Sequence, residues 1–356
     1  MSIRQDSVIP LKNDLILRVA KGNVDPSSKI PVWVMRQAGR YLEEYRHFSA
    51  QNGFLNICQS PELMCEATMM PFKYFDFDAA IIFSDILILA LPLGLKVSMV
   101  PGQGPVISPK LTELANPVFD VDLTQHLSYV YRGIELTRRA LDGKVPLIGF
   151  AGGPWTLLSY MVEGTPTKVL SQARKWLYQL PESTATRIFE SLSDLIVQHL
   201  RLQVQAGAQM LQIFESNAGM LSTTHLEKYL LPALQRINNS LRDTLREDYV
   251  PTIIFPKGCS IASLQWLAYE TGYDVIGLDW TTEVGQLGDM NGKALQGNLD
   301  PAALYSNKDE LSGYIHDMLR KFEGRPYIAN LGHGIYPDVP PESVELFVGT
   351  VHSYNT

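Results

Sequence analysis

The apolar positions of this chain fall into eight short runs, at 31–35, 79–85, 145–150, 209–214, 251–255, 275–278, 294–298 and 327–330. Each is too short and too continuously apolar for an amphipathic helix and reads as a strand. Helical spacing fills most of the intervals, over about 120–142, 167–179, 182–206, 224–246, 260–271 and 307–322, with a last helix at 341–353. Upstream, 11–20 has helical spacing and stops on Lys21-Gly22. Ser60-Pro61-Glu62 opens a helix that runs to about Pro71, with a capping hydroxyl, a proline in the first turn and an acid at the positive end.

Strands that alternate with helices pair in parallel, and strands apolar along their length are buried on both faces. Eight such units predict an α/β fold, a TIM (β/α)8 barrel, as one catalytic domain over 11–356 behind a flexible segment at 1–10. A doubly wound sheet is the alternative. In barrels of this kind the working residues stand where the strands end. Here those ends carry Arg36, Arg40, Asp85, Gly152-Gly153, Ser216, Lys257, Asp279 and His333.

Composition narrows the function. The 356 residues suit one large barrel. A net charge of −7 argues against nucleic-acid binding, which needs surplus Lys and Arg. An acidic protein takes an anion only by focusing cations in a cleft, so paired arginines matter more than the total. The three cysteines, Cys58, Cys65 and Cys259, form neither a Cys-x-x-Cys nor a His-x-Cys pair, which suggests a reducing compartment and no thiolate metal site. No apolar leader is read at the N-terminus, and the longest apolar run, 86–95, is too short for a bilayer and contains Pro92. The expectation is a cytoplasmic protein without membrane or nucleic-acid partners.

The strand end at Arg36, Gln37, Ala38, Gly39 and Arg40 is the sharpest candidate. Two guanidinium forks beside a glycine suit carboxylates or phosphate; the plainer alternative is a pair of surface charges. Asp85 fits either a functional carboxylate or the cap of the segment behind its strand. His333, between two glycines, fits a ligand contact or a structural hydrogen bond. Lys257 at a strand end allows Schiff-base chemistry with a carbonyl substrate. The Gly152-Gly153-Pro154 turn lacks dinucleotide-binding spacing, and Tyr160 alone reads as core.

Together the blocks Pro-Val-Trp-Val-Met-Arg-Gln-Ala-Gly-Arg (31–40) and Gly-Phe-Ala-Gly-Gly-Pro-Trp-Thr-Leu-Leu-Ser-Tyr-Met-Val-Glu-Gly (149–164) resemble the uroporphyrinogen decarboxylase family. So do Ile-Ile-Phe-Ser-Asp-Ile (81–86), Gln-Ile-Phe-Glu-Ser (212–216), Leu-Gln-Gly-Asn-Leu-Asp-Pro (295–301) and Asn-Leu-Gly-His-Gly (330–334). The resemblance runs from about residue 11 to the C-terminus. It implies a homodimeric TIM barrel of haem biosynthesis that needs no metal or organic cofactor. Its reaction converts the four acetate arms of uroporphyrinogen III to methyls, giving coproporphyrinogen III and carbon dioxide.

Carried over by the resemblance, Asp85, Arg36 and Tyr160 are catalytic. Asp85 accepts the four pyrrole N–H groups, Arg36 and Arg40 hold carboxylates, and Tyr160, Ser216 and His333 hydrogen-bond others. Gln37, Ile81, Phe150 and Phe214 line the pocket. Three departures stand out: Ser49 where the family often has an arginine, Thr165-Pro166-Thr167 where a glycine run is usual, and Asn217. A corrinoid-dependent methyltransferase of the same superfamily is the first rival, against which the missing His-x-Cys pair counts. A Lys257 Schiff-base lyase and a non-catalytic tetrapyrrole carrier are the others.

Overall fold

The computed structural model describes residues 9–23, 29–100, 102–114 and 118–354, so the expected flexible segment at 1–10 lies mostly outside the described residues. A short strand, β1 (Ala80–Ile81), is followed by an antiparallel hairpin, β2 (Lys96–Val100) and β3 (Gly104–Ser108). Then come β4 (Leu147–Gly152), β5 (Met210–Glu215), β6 (Thr252–Pro256), β7 (Val275–Gly277), β8 (Ala294–Leu299) and β9 (Tyr327–Leu331). The hairpin aside, these form one sheet of seven strands in chain order, β1-β4-β5-β6-β7-β8-β9, with every pair parallel.

Residues 31–35 close that sheet. Val32 makes a parallel bridge to Ala329 in β9; the Ala329 N–H donates to Pro31 O at 2.8 Å and the Trp33 N–H to Ala329 O at 3.3 Å. On the other edge the N–H of Asp78, just ahead of β1, donates to Val32 O at 2.8 Å. The expected first strand therefore completes the eight staves of a TIM barrel, but it forms a bridge and not a ladder. Pro31 has no N–H to give. The Val32 N–H is taken by the Asp78 side chain, at 2.8 Å, and not by a strand carbonyl.

The barrel interior shows the same closure from inside. Trp33 Nε1 donates to Gln296 Oε1 at 3.0 Å, and Gln296 Nε2 donates to Gln212 Oε1 at 3.1 Å. All three residues are fully buried, so side chains from 31–35, β8 and β5 meet across the barrel. The buried apolar residues form one contiguous core.

Most expected helices are present, including Glu182–Gln205, Leu231–Leu245, Ile261–Glu270, Lys308–Lys321 and Pro341–Ser353. Ser60 caps Pro61–Met69 by accepting the Leu63 N–H. The expected helix at 120–142 breaks into Leu123–His126 and Ser128–Ala140. Elements not foreseen include the hairpin, the helices Glu43–Asn52 and Phe54–Gln59, and a helix at Pro154–Glu163. That helix is buried on nearly every side, so its sequence has no polar face to reveal a period.

At the end of the barrel where the strands begin, Asp78 ties three parts of the chain together. Besides Val32, it accepts from Asn13 Nδ2 at 2.7 Å and contacts His352 Nε2, on the last helix, at 2.9 Å. Among the described residues no helix is long and apolar enough to cross a membrane.

Candidate active site

The expected strand-end residues converge on the opposite end of the barrel. Arg36 leaves the stave at 31–35 with φ +64°, a left-handed conformation that a side chain with a Cβ seldom adopts. Such strain persists only where surroundings fix it. Here they do: Met35 N–H donates to Asn330 Oδ1 at 3.1 Å and Ile335 N–H to Met35 O at 3.0 Å. Tyr41 Oη donates to Gln37 O at 2.7 Å, and Arg46 donates to Arg40 O at 2.8 Å.

The Arg36 side chain then runs across Gly334, where a Cβ would lie 2.5 Å from Arg36 Cδ. Burial around the guanidinium lowers its pKa, and the Arg40 charge lowers it further, while Tyr160 and Asp85 act in the opposite direction. Taken as a whole the residue is exposed, so this depression is modest and Arg36 stays charged. Gln37, expected in the pocket lining, is instead fully buried, and neither atom of its amide has a partner among the described residues.

Asp85 ends the run begun by β1 and takes up the capping role open to it with one of its two carboxylate oxygens. Its Oδ1 accepts the Leu87 N–H at 2.7 Å, capping the turn at Ile86–Ala90. Its Oδ2 has no hydrogen bond among the described residues. Burial raises the Asp85 pKa, against the pull of the Leu87 N–H and of Arg36. Tyr160 is raised by burial and then by the charge of Asp85, and lowered by Arg36. Asp85, Arg36 and Tyr160 therefore sit within one electrostatic neighbourhood.

The wall beside them is aromatic. Phe150 in β4 meets Phe214 in β5 edge to face, with centroids 5.6 Å apart, and both are half-buried. Ile81 is buried in β1, and Ser216 stands half-buried just past β5. Next to Ser216, Glu215 is fully buried and was not foreseen as more than a strand terminus. It accepts from Trp155 N–H at 3.0 Å and from the Thr156 hydroxyl, capping the helix that carries Tyr160. Burial pushes it up to about 7, against these hydrogen bonds. The signal that could have exposed it is an acid in a strand buried on both faces, which needs donors nearby.

His333 follows β9. Its Nδ1 lies 3.2 Å from Gly334 O, and since a carbonyl only accepts, that nitrogen carries the proton. Burial, then the Arg36 charge, lowers its pKa to about 4, so the ring is neutral near pH 7 and Nε2 is an acceptor. The ring stands edge-on to Trp280, with centroids 5.6 Å apart at 90°. Gly332 permits this contact, because a Cβ there would fall 2.2 Å from Trp280 N. Lys257 Nζ lies 5.8 Å from the centroid of the same indole.

The three departures each have a local partner. Ser49 donates to Arg46 O at 3.2 Å. Thr167 donates to Glu163, whose other oxygen accepts the Ala173 N–H at 2.9 Å. Asn217 Nδ2 donates to Ser159 Oγ at 2.9 Å, tying the loop after β5 to the Tyr160 helix. No group of three or more His, Cys, Asp or Glu side chains among the described residues could hold a metal.

The sequence profile of uroporphyrinogen decarboxylase matches residues 11–354. The chain belongs to the uroporphyrinogen decarboxylase family. A Danio rerio protein named uroporphyrinogen decarboxylase is 45% identical over 353 residues, covering 97% of this chain and 94% of that one. One of the same name from Homo sapiens is 46% identical over 356 residues, covering 97% and 95%. Among solved structures, a methyltransferase from Methanosarcina mazei superposes with a TM-score of 0.77 at 19% identity, covering 96% of this chain and 98% of that one. A B12-independent methionine synthase from Shewanella sp. W3-18-1 gives 0.54 at 11% identity over 82% and 89%. At those identities the likeness is one of fold alone, so the family assignment rests on the decarboxylase relatives.

Proposed function

We propose that the barrel mouth holds uroporphyrinogen with its pyrrole N–H groups on Asp85 and its carboxylates on Arg36, Arg40, Tyr160, Ser216 and His333. By family the chain is a decarboxylase that converts the four acetate arms to methyls, giving coproporphyrinogen in porphyrin biosynthesis. One observation carries the site reading. Asp85 offers an unpartnered carboxylate oxygen in the same mouth, and the same field, as the Arg36 cation.

The chemistry needs an electron sink. Protonating a pyrrole carbon makes the ring cationic; the acetate C–C bond then breaks, carbon dioxide leaves, and the electron pair neutralises the ring. The exocyclic carbon takes a second proton and the ring carbon loses the first. Each arm thus exchanges one carbon dioxide for one proton.

Ionised Asp85 stabilises the cation, because its fixed charge lies where positive charge develops in a site of low dielectric. Its raised pKa would favour the neutral form, but four N–H donors and a cationic ring favour the ionised one. Arg36, or a water it holds, is the preferred donor of the ring proton, and crowding of its guanidinium acts in that direction. His333 takes a proton at Nε2 when a carboxylate binds there, since Nδ1–H is already directed at Gly334. Phe150, Phe214 and Ile81 pack against the macrocycle. Gln37 acts through its backbone, as the carbonyl that Tyr41 holds.

We carry the homodimer and the cytoplasmic location as proposals, the first from the family resemblance and the second from sparse, unpaired cysteines. Sedimentation equilibrium tests the dimer. For the function, purified protein is incubated anaerobically with uroporphyrinogen III without added cofactor, and oxidised products are separated by chromatography. Hepta- to tetracarboxyl species are expected. Their absence from folded protein would sink the assignment.

A further inference from the structure

The eight staves distribute the charges of the site unevenly. From 31–35 the barrel runs through β1, β4, β5, β6, β7 and β8 to β9 and back. Arg36 and Arg40 leave the first stave, Asp85 the second and His333 the eighth. All the cations invoked so far thus stand on one side of the mouth. The substrate class has carboxylate arms around its entire rim. The fifth of eight staves is β6, which faces the first across the barrel, and Lys257 is the residue at its end.

We propose that Lys257 is a substrate-binding residue, whose ammonium, reaching in from the stave opposite that of Arg36 and Arg40, takes a carboxylate arm beside Trp280. This rests on the decarboxylase site reading and extends it. Four observations support it. First, Lys257 Nζ has no hydrogen bond or ion pair with any described residue, although the protein carries more acids than bases. Second, the residue is half-buried, and a partly desolvated ammonium without an anion is unfavourable.

Third, the nearby acid is already engaged. Asp279 accepts from Gly258 N–H at 2.6 Å and from the N–H and hydroxyl of Thr281. Fourth, the lysine is held in place. Its N–H donates to Glu215 O at 3.1 Å, its carbonyl accepts the Gly219 N–H at 3.0 Å, and its ammonium lies over the Trp280 ring, 5.8 Å from the centroid. Trp280 also faces His333, so both side chains flank one indole. Burial lowers the Lys257 pKa, with Arg36 lowering it further and Asp279 raising it, which places the three charges in one field. The Schiff-base role remains available to the same nitrogen only with a carbonyl substrate, which this family's substrate is not.

The test compares wild-type enzyme with Lys257→Met and Lys257→Arg under anaerobic turnover at two ionic strengths. Lys257→Met is expected to raise KM about tenfold or more, as for loss of one charge-assisted hydrogen bond, with a smaller fall in kcat. Its KM should also depend less steeply on salt than that of wild type. Lys257→Arg should recover most of the KM. An unchanged KM and an unchanged salt dependence in Lys257→Met would overturn the proposal while leaving wild-type decarboxylation intact.

Should Lys257→Met fail to fold, competitive acetylation of the wild-type enzyme decides. Bound coproporphyrinogen should slow acetylation of Lys257 but not of exposed Lys96. Equal labelling of Lys257 with and without ligand would overturn the proposal. A wild-type enzyme that releases no carbon dioxide would instead remove the underlying site reading.

Discussion

Arg36 lies across Gly334 so closely that a Cβ on the glycine would stand 2.5 Å from Arg36 Cδ and 2.7 Å from Nε. The two residues come from opposite ends of the sequence, and the closing bridge between Val32 and Ala329 brings them together. The left-handed backbone of Arg36 and the bare α-carbon of Gly334 are thus two halves of one device for aiming a guanidinium over the mouth.

Gly334→Ala should therefore displace Arg36 without unfolding the barrel. A misplacement on the ångström scale lowers kcat/KM by about 10²-fold, with little change in the thermal midpoint. Steady-state kinetics with calorimetry checks this. Normal kinetics in the variant would show that Arg36 works from elsewhere. Arg36→Ala and Arg40→Ala are each expected to impair both binding and turnover.

The acid limb of kcat/KM should lie above the ordinary carboxylate range. In the proposed mechanism Asp85 acts ionised, and burial raises its pKa in the free enzyme, so activity is expected to be lost as pH falls through that raised value. A pH–rate profile tests it, and a profile flat down to about pH 4 would contradict the assignment.

Glu215 makes an opposite contribution to what carboxylates usually make to stability. Its pKa rises from 4.5 to about 7 on folding. The folded state thus binds the extra proton, and this group's contribution falls as pH rises from 4.5 to about 7. Glu215→Gln removes the titration and puts an N–H₂ against helix N–H groups, for a loss of about 1–3 kcal/mol. Urea unfolding at pH 5 and pH 7.5 should show the wild type's advantage over Glu215→Gln shrinking at the higher pH.

At the other end of the barrel, His352 is raised by its contact with Asp78, against desolvation. The sign is clear for a raised histidine: its contribution is complete below the unfolded value, near 6.5, and is lost as pH rises through the folded one. His352→Ala should lower stability by about 1–2 kcal/mol at pH 6 and by less at pH 9. An equal loss at both pH values would mean that packing, not the ion pair, holds the last helix.

The strands at 145–150, 209–214, 251–255, 294–298 and 327–330 were legible because a strand buried on both faces must be apolar throughout. The same rule hid the helix at Pro154–Glu163, whose Trp155, Leu157, Leu158, Met161 and Val162 are all buried. It also overstated 31–35 and 79–85 as full strands, since a side chain, Asp78, supplies part of their pairing. The charged residues of the mouth could be read from their places after apolar runs. Tyr160 could not, because a tyrosine in a buried helix looks like core until a neighbouring strand supplies Asp85. Glu215 and Trp280 were missed for a similar reason: each acts through backbone or ring contacts that span distant segments.

The most direct measurement of the central claim is anaerobic carbon dioxide release from uroporphyrinogen III by wild type and by Asp85→Asn, with tetrapyrrole binding followed in parallel. The amide keeps the shape and the Leu87 contact but removes the charge. The expected result is binding retained to within about tenfold and release slowed by at least about 10³-fold, the loss of a fixed charge at the developing cation. Release at near the wild-type rate by Asp85→Asn would contradict the account, whatever the family to which the chain belongs.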